Sequence, residues 1–285
     1  MPEGPEIRRS VDALEKQIAG RKIDRIYFGL DSLAGWDKRL SGAKVMQVRS
    51  HGKAIVIQLD NGLHIYSHNQ LYGRWYFCDT QDYPDIKRQL RLAIDCQGQS
   101  ALLYSASDIA VLDHDELARH PFLSKLGPDV LSPSTTAELI VERLKSGKYR
   151  NRQLGGVLTD QSFVAGLGNY LRCEILYYSQ HHPCVRSSDL NDEQLRFLAN
   201  VIIDLTHQSY QTGGITNDLD HAQQLIQQDA TFEEARFYVF RRQGMACYRC
   251  GHLIEKSSQA GQACYYCPAC QSDEVCKLAT SRRRS

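Results

Sequence analysis

Two cysteine pairs constrain this chain more than any other feature. They are Cys247-Tyr248-Arg249-Cys250 and Cys267-Pro268-Ala269-Cys270, with sixteen residues between them. Two C-x2-C pairs bring four thiolates to one tetrahedral zinc ion, each pair seated on a tight knuckle turn. Four soft ligands close the coordination sphere, so the expected metal is one structural Zn2+ and not a catalytic one. Leu253, Ile254, Tyr265 and Tyr266, between the pairs, suit a β-hairpin. His252 and Cys264 are rival ligands by position. The stretch Met1-Pro2-Glu3-Gly4-Pro5-Glu6 has no basic patch leading into an apolar core, so it does not read as a secretory signal. The ten cysteines are therefore expected to be reduced. Cys78, Cys96, Cys173, Cys184, Cys264 and Cys276 then count as ordinary thiols.

A length of 285 residues leads to an expectation of about two domains. The longest apolar runs are short, as at Ala54–Ile57, and exclude a membrane helix. A helix is expected from Pro5, with Ile7, Val11, Leu14 and Ile18 at helical spacing and Gly20 as its stop. The period then changes to two. Ile23–Phe28, Val45–Val48, Ala54–Leu59, Leu63–Tyr66, Arg74–Cys78, Leu90–Asp95 and Ala101–Tyr104 read as strands, with Asp60-Asn61-Gly62 as a hairpin turn. Residues 1–120 thus form a β-rich domain led by a helix. A breaker-rich passage, 121–135, reads as a linker. Residues 136–235 read as helical, with helices near Thr136, from Gly155-Gly156 to Gln161, over Tyr170–Ser179 and over Asp192–His207, the last capped by Asn191. Within that domain, 209–235 hold five acidic residues, no Lys or Arg and many Gln, and are expected to be a mobile loop. The cysteine module follows at 236–272, and a basic tail at 273–285.

The net charge of +1 gives no reason to propose a nucleic-acid partner. It is an average, however. From Arg236 to the end there are nine basic and three acidic side chains, a local balance of +6. A patch of that kind is an electrostatic footprint for phosphates.

The N-terminus carries chemistry of its own. Removal of Met1 leaves Pro2 as a free secondary amine, and an α-amine titrates near ~8. Such an amine attacks a sugar C1′ or an aldehyde to give an iminium, which promotes β-elimination. Glu3 lies beside it as a general acid/base, and Glu6 falls on the same side of the first helical turn.

Met1-Pro2-Glu3-Gly4-Pro5-Glu6, His51-Gly52-Lys53, Gly166-Leu167-Gly168-Asn169-Tyr170 and the terminal four-cysteine module together resemble the formamidopyrimidine-DNA glycosylase/endonuclease VIII family of base-excision repair enzymes. Tyr66-Ser67-His68-Asn69-Gln70-Leu71-Tyr72-Gly73 is similar to the endonuclease VIII branch, which acts mainly on oxidised pyrimidines. The resemblance implies an α+β multidomain fold: an N-terminal β-sandwich led by a helix, then a helical helix–two-turn–helix domain with a C-terminal four-cysteine β-hairpin zinc finger. It implies a DNA glycosylase/AP lyase acting on damaged or abasic double-stranded DNA held between two domains. A monomer in the bacterial cytoplasm, working at the nucleoid, suffices for that. Pro2 matches the Schiff-base nucleophile, Glu3 the proton donor and Lys53 the lysine of β-elimination. Gln70, Leu71 and Tyr72 match the wedge that fills the duplex when a damaged nucleotide is flipped out, a step costing a few kcal/mol of stacking. Lys125 and Asn169 match DNA-phosphate contacts. One departure stands out: the family's finger Arg, tied to δ-elimination, is here Gln262, which carries no charge.

A reading of a different class is a non-catalytic zinc-ribbon protein that binds nucleic acid. It accounts for the finger and the basic patch but not for the N-terminus. A nuclease with an active-site metal would need a carboxylate cluster, for which the sequence offers no convincing candidate.

Overall fold

The structure, a computed structural model, describes residues 2–80 and 82–272. The chain divides between Lys125 and Leu126 into two compact units. The first unit opens with α1 (Gly4–Ile18), whose Pro5 lies in the first turn and whose Ile7, Val11, Leu14 and Ile18 are buried. Strand β1 (Arg25–Phe28), the short helix α2 (Trp36–Leu40), and strands β2 (Val45–His51), β3 (Ala54–Leu59), β4 (His64–His68), β5 (Arg74–Asp79), β6 (Leu90–Cys96), β7 (Gln99–Tyr104) and β8 (Asp108–Leu112) follow, then α3 (His114–Ala118).

The strands form two four-stranded sheets in the orders β1-β6-β7-β5 and β2-β3-β4-β8, with every pairing antiparallel. One apolar cluster joins Ile55, Ile57 and Ile65 of one sheet, Leu92, Ile94 and Leu103 of the other, and the buried face of α1. This is the β-sandwich led by a helix. Strand β3 is apolar almost throughout because both its faces are covered: Ala54 and Val56 join Tyr66 in a second cluster backed by Phe122 and Leu123. β8, α2 and α3 have no counterpart in the sequence expectation. Each is five residues long, too short for its periodicity to show.

The second unit contains α4 (Ala137–Lys145), α5 (Leu154–Val157), α6 (Asn169–Tyr178), α7 (Asp192–Thr212), α8 (Leu219–Gln227), α9 (Phe232–Ala235) and a hairpin of β9 (Glu255–Gln259) and β10 (Gln262–Tyr266). Thr136 and Asn191 cap α4 and α7 through their side chains. The helix expected from Gly155-Gly156 to Gln161 stops at Val157. Asp160 Oδ1 there accepts from Ser162 N in a side-chain turn that replaces the helical ladder.

Residues 209–235 do not form the loop that their composition predicts. α7 runs on to Thr212, where Gly213 takes φ 80 as the stop. Asp218 and Thr231 then cap α8 and α9 by accepting from His221 N and Glu234 N. Gln, Leu and Ala are good helix formers, so a stretch poor in cations is not thereby a loop. The 273–285 tail lies outside the described residues.

Helix α6 is buried on every side from Tyr170 to Tyr177, which makes it the axis of this unit's core. It nevertheless carries Arg172 and Glu174. The Arg172 guanidinium donates to Gly155 O, Gln259 O, Ala263 O and Asn169 Oδ1. The Glu174 carboxylate accepts from Tyr238 N, Val239 N, Phe240 N and the Thr216 hydroxyl, at 2.7–2.9 Å. Buried charges persist when hydrogen-bonded in this way, although Arg172 Nε has no hydrogen-bond partner among the described residues.

Candidate active site and zinc centre

Pro2 and Glu3 directly precede α1, with Glu3 as its N-cap. Glu3 N donates to Glu6 Oε2 at 2.9 Å, so Glu6 fixes the backbone next to Pro2. The Glu3 side chain is buried, at 2% exposure. Lys53 occupies the two-residue turn between β2 and β3, after Gly52 at φ 59. That turn buries the lysine to 7% exposure. Desolvation pushes the Lys53 ammonium below its ordinary pKa, opposed by attraction to Glu3 and Glu6. The structure therefore brings Glu3, Glu6 and Lys53 into one electrostatic group at the start of α1.

A pocket of about 490 Å³ adjoins this group, lined by Pro2, Glu6, Asn69, Leu71, Tyr72 and Trp75 among others. Gln70, Leu71 and Tyr72 form the turn between β4 and β5. Leu71 and Tyr72 are 62% and 71% exposed, unusual for large apolar side chains. The turn closes with Gly73 N donating to Asn69 O at 2.7 Å. A Cβ at Gly73 would lie 2.6 Å from that same oxygen, so only glycine fits. Gln70 adopts φ 50, a conformation uncommon outside glycine. Its N–H donates to His68 Nδ1 at 3.0 Å.

Lys125 is exposed at the end of a short turn in the first unit. Asn169 is the first residue of α6, following Gly166 at φ 101. Arg172 engages Asn169 Oδ1, which leaves the amide N–H bonds as the group's offering. With the N-terminal turn of α6, that forms an anion-directed end. Gln262 is exposed at the start of β10, beside the two-residue hairpin turn Ala260-Gly261, where φ is 50 and 75.

Sequence reasoning missed His68, Asn69, Arg172 and Glu174. Asn69 is buried in the pocket that Pro2 also lines, and its Oδ1 has no hydrogen-bond partner among the described residues. The available signal for Arg172 and Glu174 was the placement of two opposite charges inside an otherwise apolar helix.

The Sγ atoms of Cys247, Cys250, Cys267 and Cys270 all lie within 4.8 Å of one another. Cys250 to Cys267 is 3.4 Å, Cys250 to Cys270 3.4 Å and Cys247 to Cys270 3.9 Å. A tetrahedron with Zn–S bonds of about 2.3 Å has edges of about 3.8 Å, so four soft donors stand where one structural zinc ion fits. Neither rival ligand belongs to the cluster. The Cys264 thiol instead faces Cys173 at 3.9 Å in the core. Cys184 Sγ lies 2.9 Å from His182 Nδ1. Cys276 lies outside the described residues. No helix among the described residues is long and apolar enough to cross a membrane.

Comparison with known proteins agrees with this architecture. Residues 1–108 match the formamidopyrimidine-DNA glycosylase N-terminal domain, and residues 126–220 match the formamidopyrimidine-DNA glycosylase H2TH domain. The chain is 44% identical over 271 residues to Endonuclease 8 of Escherichia coli, and 43% to that of Klebsiella pneumoniae. Each match covers 95% of this chain and all of the relative. The fold is similar to that of the Lactococcus lactis Fpg, solved in complex with an oxidised-pyrimidine-containing DNA, with a TM-score of 0.78 at 22% identity over 95% of this chain and all of that one. The sandwich, the buried α6, the four-thiol hairpin and this full-length identity lead to one assignment: the chain belongs to the formamidopyrimidine-DNA glycosylase/endonuclease VIII family.

Proposed function

We propose that this protein is a bifunctional DNA glycosylase and AP lyase that removes oxidised pyrimidines from double-stranded DNA. The observation that carries the reading is the convergence of Glu3, Glu6 and Lys53 at an N-terminal proline beside a pocket and an exposed apolar turn. With Met1 removed, the Pro2 nitrogen attacks C1′ and forms an N–C bond as the glycosidic C–N bond breaks, and the proton lost from that nitrogen is balanced by the one the departing base takes up. Glu3 donates a proton to the sugar ring oxygen, the ring opens, and the Pro2 nitrogen and C1′ become an iminium. The iminium acidifies C2′. Loss of that proton to water forms the C2′–C3′ double bond and breaks the C3′–O bond, and the Lys53 ammonium donates a proton to the departing 3′ phosphate oxygen. Leu71 and Tyr72 fill the space that the extruded nucleotide leaves. Lys125 and Asn169 contact phosphates, and the four-cysteine zinc site holds the finger hairpin in shape.

Gln262 can donate a hydrogen bond but cannot neutralise a phosphate, so the second, δ-elimination step is expected to be weak. The protein acts as a monomer in the cytoplasm.

Borohydride trapping on a thymine-glycol duplex tests the covalent step. Wild type is expected to give a protein–DNA adduct and Pro2→Ala none. The cleaved strand is expected to carry mainly the β-eliminated 3′ end. Undiminished trapping by Pro2→Ala would overturn the assignment of the nucleophile. Glu3→Gln is expected to lose base excision while still cutting pre-formed abasic sites.

A further inference from the structure

Leu71 and Tyr72 can act as a wedge only if something holds the turn beneath them, because their side chains face solvent. The turn crosses from β4 in one sheet to β5 in the other. A second crossover, between β7 and β8, runs beside it. Ser107 in that crossover donates its hydroxyl to Gln70 Oε1 at 2.9 Å. A third segment arrives from the long connection between β5 and β6. Its Gln89 O accepts from Ser105 N at 2.8 Å, which anchors it to the second crossover. The next residue back, Arg88, donates a guanidinium N–H to Tyr72 O at 2.9 Å. Arg88 also lines the pocket that holds Pro2, Leu71 and Tyr72.

Each end of the tripeptide is therefore tied from outside. Gln70 is held at its side chain by Ser107 and at its N–H by His68. Tyr72 is held at its carbonyl by Arg88. The φ of 50 at Gln70 gives these ties something to oppose, since a non-glycine residue leaves that conformation when released.

We propose that Arg88 is a positioning residue for strand insertion: it fixes the Tyr72 carbonyl so that Leu71 and Tyr72 enter the duplex as a rigid pair. The proposal rests on the glycosylase reading and deepens it. Arg88 touches no reacting atom in this account. Its effect is confined to substrates in which a stacked, paired nucleotide must be replaced. A charge-assisted hydrogen bond to a carbonyl also gains strength when DNA covers it and excludes water.

The test compares single-turnover excision of thymine glycol from a duplex and from the same oligonucleotide as a single strand, which needs no wedge. Wild type, Arg88→Ala and Arg88→Lys are measured as full chains. Arg88→Ala is expected to slow duplex excision about tenfold, the scale of one charged hydrogen bond, and to leave the single-strand rate within about twofold. Arg88→Lys keeps a charged N–H donor and is expected to recover most of the duplex rate. Equal loss on both substrates would make Arg88 a general structural residue and overturn the proposal, as would an undiminished duplex rate in Arg88→Ala. A wild-type chain inert on both substrates would overturn the glycosylase reading and this proposal with it.

Discussion

At the scale of single residues, the site depends on how burial alters ordinary side chains. Lys53 illustrates it. Desolvation lowers its pKa further than Glu3 and Glu6 raise it, so the ammonium gives up its proton at a lower pH than an exposed lysine would. A proton donor must hold its proton to act. Strand cleavage at a pre-formed abasic site is therefore expected to decline on the alkaline side below the ordinary lysine pKa. Lys53→Arg, which stays charged, is expected to move that limb upward; initial rates across a pH series would show it, and an unmoved limb would remove Lys53 from the step. Pro2 and Glu3 stood out in the sequence through the chemistry of a Met-Pro-Glu start and Lys53 only through the family resemblance, since a lysine at a turn ordinarily reads as solvated; its burial beside Glu3 and Glu6 came from the structure. Asn69, His68 and Ser107 did not stand out, because their meaning lies in partners contributed by turns and not in spacing. Arg172 and Glu174 lie between the two cases: their oddness on an apolar helix is visible in the sequence, but their partners are not.

At the scale of elements, local rules worked where the apolar pattern matches the faces that are covered, one face in α1 and α7 and both faces in β3. α1 and α7 show the expected periodicity, and β3 spans Ala54–Leu59 as its apolar run predicts. The failure at 209–235 has a specific cause. Composition was read there as disorder, whereas capping residues at Asp218 and Thr231 and a run of helix formers decide the local structure. The turn from Asn69 to Gly73 shows the reverse case, in which one glycine decides an element. Gly73→Ala places a methyl group 2.6 Å from Asn69 O and 2.7 Å from Asn69 Cα, both backbone atoms that cannot move aside cheaply. The turn must open and lose its closing hydrogen bond. Chemical denaturation is expected to show a loss of about 1–3 kcal/mol, and a stability equal to wild type would show that the turn is softer than drawn.

At the scale of the whole molecule, the two units have separate apolar cores. Cys247, Cys264 and Cys267 belong to that of the second unit alone. Zinc loss is therefore expected to act on one unit. Cys267→Ser is expected to lower bound zinc below one per chain by elemental analysis and to lower the melting transition of the second unit. The first unit's transition is expected to stay where it was; a shift of both would show that the units melt together. The near-neutral total charge is likewise a sum of unlike regions, with the basic excess gathered after Arg236.

The buried charges on α6 also set an order of events during synthesis. Arg172 finds carbonyl partners 87 and 91 residues later, at Gln259 and Ala263. Glu174 finds its amides 64 to 66 residues later, at Tyr238, Val239 and Phe240. Until those segments leave the ribosome, the helix at the centre of the second unit carries two charges that it cannot bury. The sandwich has all its strands by Leu112 and is free to fold first, whereas the second unit must wait until nearly the whole chain has been made.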